Sequence, residues 1–150
     1  MSTEIIQKIL DATFKVIARE KISGTRMHLI AKEANMVQSN LHYYFPTKDE
    51  LLIALLDDLQ QRFTKKRMES VDFNKKSFTE NLHGLFEEKE DDILNHDKID
   101  YVQFDYWVQG TVNPEIREKF KKSFDIWRNN IMEVLKSSPL YNSKDPKNIE

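Results

Sequence analysis

The chain has 150 residues, of which 39% are hydrophobic and 32% charged, as is typical of a globular protein that can bury one adequate core. It contains no cysteine, which excludes a disulfide framework and a thiolate metal site within this sequence. No apolar run approaches the roughly 18 residues that span a bilayer, and the N-terminus lacks the basic start of a signal peptide. We therefore expect a cytoplasmic protein, and the scarcity of glycine (three) and proline (four) favours an all-α fold.

The net charge of −2 is unevenly distributed along the chain. Residues 1–48 carry seven Lys/Arg against four Asp/Glu, whereas the remainder carries sixteen against twenty-one. A basic excess at one end is the pattern expected when only that end meets a polyanion. The excess is small, so it does not predict tight non-specific binding to nucleic acid by a single copy.

The first predicted helix begins at a cap provided by Thr3 and ends at Ser23-Gly24, which break the helical pattern. Its apolar positions recur at helical spacing, at Ile6, Ile9, Leu10, Val16 and Ile17. One face of this helix is therefore expected to lie in the core.

Two short helices are predicted next. Thr25 is placed to cap the first, whose apolar face repeats at helical spacing through Met27, Ile30, Ala31 and Ala34. Asn35, which tolerates the left-handed backbone conformation, ends it, and Met36-Val37 form the turn before a helix from Gln38 to Tyr44. Two short helices joined by about three residues are the layout of a helix-turn-helix, which places its second helix in the major groove of DNA.

Four further helices are predicted beyond Pro46. Thr47 and Glu50 form a capping box for a long helix that runs to about Met68, and residues 71–77 are the expected loop. Leu82 to Leu94 indicate the next helix, and Ile99 to Gln109 indicate one that ends at Gly110. Asn113 with Pro114 starts the last helix, whose apolar pattern is Ile116, Phe120, Phe124, Trp127, Ile131 and Leu135.

The second helix of the motif needs a polar face for DNA. If Leu41, Tyr44 and Phe45 turn inward, the outward residues are Gln38, Ser39, Asn40, His42 and Tyr43. Gln and Asn can pair with adenine, Ser and His can contact base edges, and a Tyr hydroxyl can donate to a phosphate. Lys48 adds a cation at the start of the following helix. The alternative for each residue singly is an ordinary solvated face.

The spacing of these positions resembles the DNA-binding domain of the tetracycline-repressor (TetR) family over about residues 3–60. The positions that carry the resemblance are Thr25, Ile30-Ala31, Ala34, Leu41, Tyr44-Phe45, Lys48 and Leu51. It implies that Thr25, Tyr43 and Lys48 contact phosphates. It implies base-reading positions at Val37, Gln38 and Ser39, and at Arg26 and His28.

Four positions depart from the family pattern. Lys21 replaces the usual glycine after the first helix, and Asn35 replaces the usual glycine of the turn. Val37 stands where a Ser/Thr cap is usual, and His42 where an aromatic residue is frequent. Because valine cannot cap a helix, we expect a looser entry into the second motif helix.

The resemblance also implies the overall organisation and function. It indicates an N-terminal three-helix DNA-binding head, residues 1–48, and a C-terminal helical bundle for effector binding and dimerisation, residues 49–150. The implied function is a homodimeric repressor that leaves a palindromic double-stranded DNA operator when a small molecule binds. The family continues for two further long helices, so the second domain looks shortened, with residues 144–150 at the start of the first of them.

The second half is rich in aromatic residues. We take Phe104, Trp107, Phe124 and Trp127 as candidate effector-binding residues, because aromatic walls suit an apolar or planar small molecule. The alternative is that each is an ordinary core residue. If the shortened chain dimerises through what remains, the Trp127 face of the last helix is the candidate surface.

No constellation of residues predicts catalysis, a bound metal or a cofactor. The four histidines are scattered, and there is no glycine-rich phosphate loop, nucleophile elbow or cysteine nucleophile. His96-Asp97 beside Asp100 is the nearest approach to a metal corner and is expected to be a solvated loop. The remaining alternative function is a helical small-molecule-sensing or protein-interaction module that does not bind an operator.

Overall fold

The computed structural model describes residues 2–95, 97–138 and 141. Over these residues the chain forms seven helices and no strand, which confirms the all-α prediction. The helices are α1 (Ser2–Gly24), α2 (Met27–Glu33), α3 (Gln38–Tyr44), α4 (Lys48–Glu69), α5 (Phe78–Asn95), α6 (Asp97–Gly110) and α7 (Pro114–Lys136). None of the described helices is long and apolar enough to cross a membrane. His96 and residues 144–150, on which two expectations fell, lie outside the described residues.

The predicted starts of α4 and α7 are confirmed in atomic detail. The Thr47 hydroxyl accepts a hydrogen bond of 3.1 Å from the backbone N–H of Glu50. The Asn113 side chain accepts from the N–H groups of Glu115 (2.9 Å) and Ile116, and Pro114 follows it at the first helical position. Each side-chain oxygen satisfies amides that the first helical turn cannot pair internally.

Two other predicted caps are wrong. Helix α1 already includes Ser2, so Thr3 lies within its first turn. The N-cap of α2 is Arg26 rather than Thr25, and no side chain caps that helix. The Thr25 hydroxyl instead donates to the carbonyl oxygen of Lys21, four residues earlier, at 2.6 Å, and α1 leaves its helical path at that same Lys21. The break in α1 therefore precedes the predicted Ser23-Gly24.

One hydrophobic core runs from the head into the C-terminal helices. It contains residues of α1 to α4 together with Val102 and Tyr106 of α6 and Ile116 of α7. The hydroxyl of the fully buried Tyr106 donates to the carbonyl oxygen of Leu52 at 2.7 Å, which ties α6 to α4. The proposed boundary at residue 48 thus falls at the start of a helix whose first half packs in the head, and it stays a prediction.

Ion pairs and one glycine hold the C-terminal helices against α4. Lys119 of α7 donates to both carboxylate oxygens of Asp57, at 2.7 and 2.8 Å. Lys66 donates to the buried Asp92 of α5 at 2.6 Å. A Cβ on Gly84 would lie 2.9 Å from the carbonyl oxygen of Ser70, so glycine allows α5 to approach the end of α4 closely.

The buried face of α7 differs from the one the apolar spacing predicts. Ile116 and Val134 are buried, whereas Phe124, Trp127 and Leu135 are exposed. Apolar spacing marks one face of a helix but does not say whether another element covers it. The interpretation of Phe124 and Trp127 as ordinary core residues is therefore wrong.

Candidate nucleic-acid interface

Helix α3 is held by its apolar side and presents its polar side to solvent. Leu41 is fully buried and Phe45 nearly so, while the outward residues include Gln38, Ser39 and Asn40. Tyr43 is 80% exposed, and its ring packs edge-on against Tyr44 with centroids 5.2 Å apart. Leu41 and Phe45 lie inward and Gln38, Ser39, Asn40 and Tyr43 outward as the sequence predicts, whereas His42 and Tyr44 are both half-buried. The exposed residues can present donors and acceptors to base edges.

The turn before α3 begins at Asn35, the residue that the sequence predicts to end α2. Asn35 has φ of 49°, in the left-handed region that asparagine tolerates. The N–H of Met36 then donates to the carbonyl oxygen of Ala31 at 2.9 Å, which closes the end of α2. Val37 is the N-cap of α3, is 69% exposed and makes no side-chain cap. The entry into α3 therefore has no side-chain cap, and its expected looseness stays a prediction.

His42 orients Gln38 on the outer face of α3. The His42 Nδ1 atom lies 3.1 Å from the carbonyl oxygen of Pro46, and its Nε2 atom lies 3.2 Å from the Gln38 side-chain nitrogen. A carbonyl oxygen only accepts, so Nδ1 carries the proton and Nε2 accepts from the Gln38 amide. His42 is half-buried, and both its nitrogens are engaged within the protein.

Lys48 lies at the first position of α4 with its ammonium group turned toward α1. Its Nζ donates to the carbonyl oxygen of Ile22 at 2.6 Å. Burial lowers the pKa of Lys48, and the positive charge of Arg26 lowers it further, while Asp49 and Asp105 act in the opposite direction. An ammonium group has three donors, so one bond to Ile22 leaves capacity for a phosphate.

The remaining candidates divide by exposure. Arg26 and His28 are exposed at the start of α2, and the Arg26 guanidinium donates to the carbonyl oxygens of Ser23 (2.7 Å) and Thr25 (3.0 Å). Thr25 is fully buried, and its hydroxyl already donates to Lys21. The structure therefore gives the Thr25 side chain no exposed donor, and its assignment to a phosphate contact stays a prediction.

The four candidate effector residues form a surface cluster and do not line an enclosed cavity. The Trp107 ring lies 5.6 Å from that of Phe104, 6.0 Å from Phe124 and 6.1 Å from Phe120, between ring centroids. Trp127 lines, with Phe120 and Phe124, an open groove of about 580 Å³ on α7. Phe104, Trp107, Phe124 and Trp127 are each about half exposed.

Sequence reasoning missed the residues that join this interface to α6. The backbone N–H of Ile22 donates to the carboxylate of Asp105, 83 residues further along the chain. The ammonium group of Lys21 lies 4.1 Å from the centre of the Tyr101 ring. The only signal in the sequence was Lys21 itself, which stands where the resembling family usually has glycine.

The fold places the chain in the class of all-α proteins that carry an exposed helix-turn-helix and a helical second domain. Residues 9–55 match the family described as bacterial regulatory proteins, tetR family. An uncharacterised helix-turn-helix transcriptional regulator from Haemophilus influenzae is 40% identical over 50 residues, which cover 33% of this chain and 27% of that protein. PksA, a helix-turn-helix transcriptional regulator of Bacillus subtilis, is 35% identical over 60 residues, covering 40% and 29% of the two chains.

Solved structures share the fold over most of the chain. A TetR transcription regulator from Haloarcula marismortui superposes with a TM-score of 0.83 at 20% identity, covering 90% of this chain and 70% of that one. A protein from Saccharomonospora viridis, described as a transcriptional regulator in complex with choline, gives 0.78 at 23% identity with the same coverage. The segments that match the curated relatives span less than a third of those proteins. Residues 9–55 are thus similar to the TetR family, and the solved structures show that the chain shares their fold.

Proposed function

We propose that the chain is a DNA-binding transcription regulator in which α3 reads the major groove. The observation that carries the proposal is the outward polar face of α3, where Gln38, Ser39, Asn40 and Tyr43 are exposed while Leu41 is buried. A helix of seven residues with one buried anchor and a polar outer side suits the groove of B-DNA. In this role Tyr43 and Lys48 contact phosphates.

The mode of action that we propose is repression by a homodimer. Two heads related by a two-fold axis would occupy successive major grooves about 34–36 Å apart and read a roughly palindromic operator. A small molecule bound to the C-terminal helices would favour a different head spacing, with a coupling free energy of about 1–3 kcal/mol. Because its proposed target is the chromosomal operator, we expect the protein to act in the cytoplasm.

The proposed effector is an apolar or aromatic small molecule that stacks on the cluster of Phe104, Trp107, Phe124 and Trp127. Aromatic rings can also bind a quaternary ammonium group such as choline. The groove, however, is bordered by Arg117, Lys121 and Arg128 against one acid, Asp125. This positive balance disfavours a cation, so we do not extend the choline of the Saccharomonospora protein to this chain.

Selection of bound sequences from random duplex DNA tests the proposal. We expect a palindromic consensus, because a symmetric dimer reads two equivalent half-sites. On that duplex, Tyr43→Phe and Lys48→Ala are each expected to weaken binding across sequences. Lys48→Ala should also reduce the slope of log affinity against log salt, by about one per head and so about two for the dimer. Tyr43→Phe should leave that slope unchanged, because the tyrosine hydroxyl carries no charge. Lys65→Ala is the matched control, since it removes an exposed lysine from the far half of the same helix.

Unchanged affinity in both Tyr43→Phe and Lys48→Ala would remove the phosphate-contact assignment. A strictly monomeric protein with no salt-dependent affinity for duplex DNA would instead favour the alternative, a helical sensing or protein-interaction module. Solution mass and a salt titration of binding therefore separate the two functions.

A further inference from the structure

The backbone of α1 leaves its helical path at Lys21, where φ is 62° and ψ is 166°. The next residue, Ile22, is buried, and its N–H donates to the carboxylate of Asp105 on α6. A carboxylate that accepts from a backbone N–H makes one of the stronger hydrogen bonds in proteins. The bend therefore makes a backbone group of the head available to the second domain.

The carbonyl group of the same residue faces the head. Ile22 accepts the 2.6 Å hydrogen bond from Lys48, four residues beyond the end of α3. Ile22 thus connects two charged side chains, one from α6 and one from α4. We call Lys21, Ile22, Lys48 and Asp105 the Ile22 junction. The negative charge of Asp105 also acts on Lys48, where it opposes the effects of burial and of Arg26.

The segment of α6 that carries Asp105 also carries the aromatic residues. Phe104 and Trp107 belong to the exposed cluster, and Tyr101, one turn earlier, lies under the ammonium group of Lys21. Tyr106 is fully buried and bonded to Leu52 of α4. A displacement of this segment would therefore move the partner of Ile22 as well.

We propose that Asp105 is a positioning residue for DNA binding, because it holds Ile22, whose carbonyl group holds Lys48 beside α3. The proposal rests on the proposed function. Asp105 does not itself touch DNA. It sets where the Lys48 ammonium group lies when the head meets a phosphate, and it links that position to the helix that carries Phe104 and Trp107.

The test compares Asp105→Ala with Asp105→Asn in the full chain. Asparagine keeps an oxygen that can accept from Ile22, whereas alanine removes it. Without DNA, we expect the amide hydrogen of Ile22 to exchange with solvent at least about tenfold faster in Asp105→Ala than in the wild type, and to stay close to wild type in Asp105→Asn. Asp100→Ala is the matched control, since it removes another carboxylate from α6, one that pairs with Lys89.

The second readout is the salt dependence of binding to the selected duplex. If Asp105 positions Lys48, Asp105→Ala lowers the affinity about tenfold and reduces the salt slope by about one per head, about two for the dimer, as Lys48→Ala does. A loss of fold stability alone would lower affinity without that change in slope. Asp105→Asn and Asp100→Ala keep the wild-type slope.

Two results would overturn the proposal. Unchanged exchange at Ile22 in Asp105→Ala would show that Asp105 does not hold the bend. Faster exchange with an unchanged salt slope, when Lys48→Ala does reduce the slope, would remove the positioning role. If the wild-type chain binds no duplex, the proposed function fails and the positioning role with it, while the exchange rates still decide whether the junction exists.

Discussion

At Lys21 the backbone occupies a region of φ and ψ that is populated almost only by glycine. A non-glycine residue held there costs about 1–3 kcal/mol, and in Lys21 a contact of the ammonium group with the Tyr101 ring offsets part of that cost. The backbone conformation of Lys21 is therefore imposed by its buried neighbours, above all Ile22. It does not reflect the intrinsic preference of lysine.

Replacement of Lys21 separates the strain from the ring contact. Both Lys21→Gly and Lys21→Ala lose the contact with Tyr101, but only glycine relieves the strain. We expect Lys21→Gly to be more stable than Lys21→Ala by about 1–2 kcal/mol, after the larger entropy of glycine in the unfolded chain is deducted. Urea unfolding measures the difference, and equal stability of the two variants would contradict a strained Lys21.

Glu88 on α5 should make stability depend on pH. Burial raises the pKa of Glu88, and the charge of Asp92 raises it further, while Arg67 acts in the opposite direction. An acid with a raised pKa binds more protons in the folded than in the unfolded state. Its contribution to stability is therefore fully present below the ordinary pKa of about 4.5 and is lost as the pH rises through the raised value.

Glu88→Gln should remove the loss of stability that occurs as the pH rises, because glutamine does not ionise. We expect the variant to have a higher free energy of unfolding than the wild type at pH 7, with a difference that shrinks toward pH 4. Urea unfolding at the two pH values measures it, with Glu90→Gln, an exposed residue of the same helix, as control. A constant difference between pH 4 and pH 7 would contradict the assignment.

Helix boundaries were predictable where local chemistry determines them, as at both ends of α3 and at the starts of α4 and α7. The bounds of α3 agree with the prediction, and the caps Thr47 and Asn113 act on amides two or three residues away. Thr25 failed as a cap because its hydroxyl found a closer partner in the carbonyl group of Lys21. Bonds of this kind to the carbonyl four residues earlier compete with capping, as the bond of Thr13 to Ile9 also shows.

The cap of α7 gives a quantitative test at this scale. Asn113→Ala leaves the amides of Glu115 and Ile116 without their side-chain acceptor, so we expect a loss of about 1 kcal/mol in the free energy of unfolding. Asn113→Asp should retain most of the stability, because aspartate is an equally good cap. Thermal unfolding of the three proteins decides it, and equal losses in both variants would point to a role other than capping.

Long-range contacts were the least predictable part of the molecule. The bond between Ile22 and Asp105 joins residues 83 positions apart, and no local pattern marks either of them. The exposure of Phe124 and Trp127 could not be predicted either, because helical spacing does not show whether another element covers that face of α7. The polar side of α3 was predictable since its inward anchors, Leu41 and Phe45, follow a simple period.

The exposed aromatic face of α7 is the surface to which we assign both dimerisation and effector binding. An introduced charge tests the dimerisation role when no small molecule is present, since a charge is costly in a dry apolar interface. We expect Trp127→Glu to raise the dimer dissociation constant at least about tenfold in sedimentation equilibrium. Phe86→Glu, which changes an exposed aromatic residue of α5, is the control. Unaltered dimerisation in Trp127→Glu would leave this face to the effector alone.

The continuous core that joins α1 to α6 has a consequence for how the molecule unfolds. Leu51, Leu52 and Leu55 contribute to the same buried cluster as the head and as Val102 and Tyr106. Separating residues 1–48 from the rest would remove Leu51, Leu52, Leu55, Val102 and Tyr106 from that cluster. The apolar surfaces that these residues cover would then be exposed to water. The head and α6 should therefore unfold as one cooperative unit. A change in the stability of one would then change the folded fraction of the other.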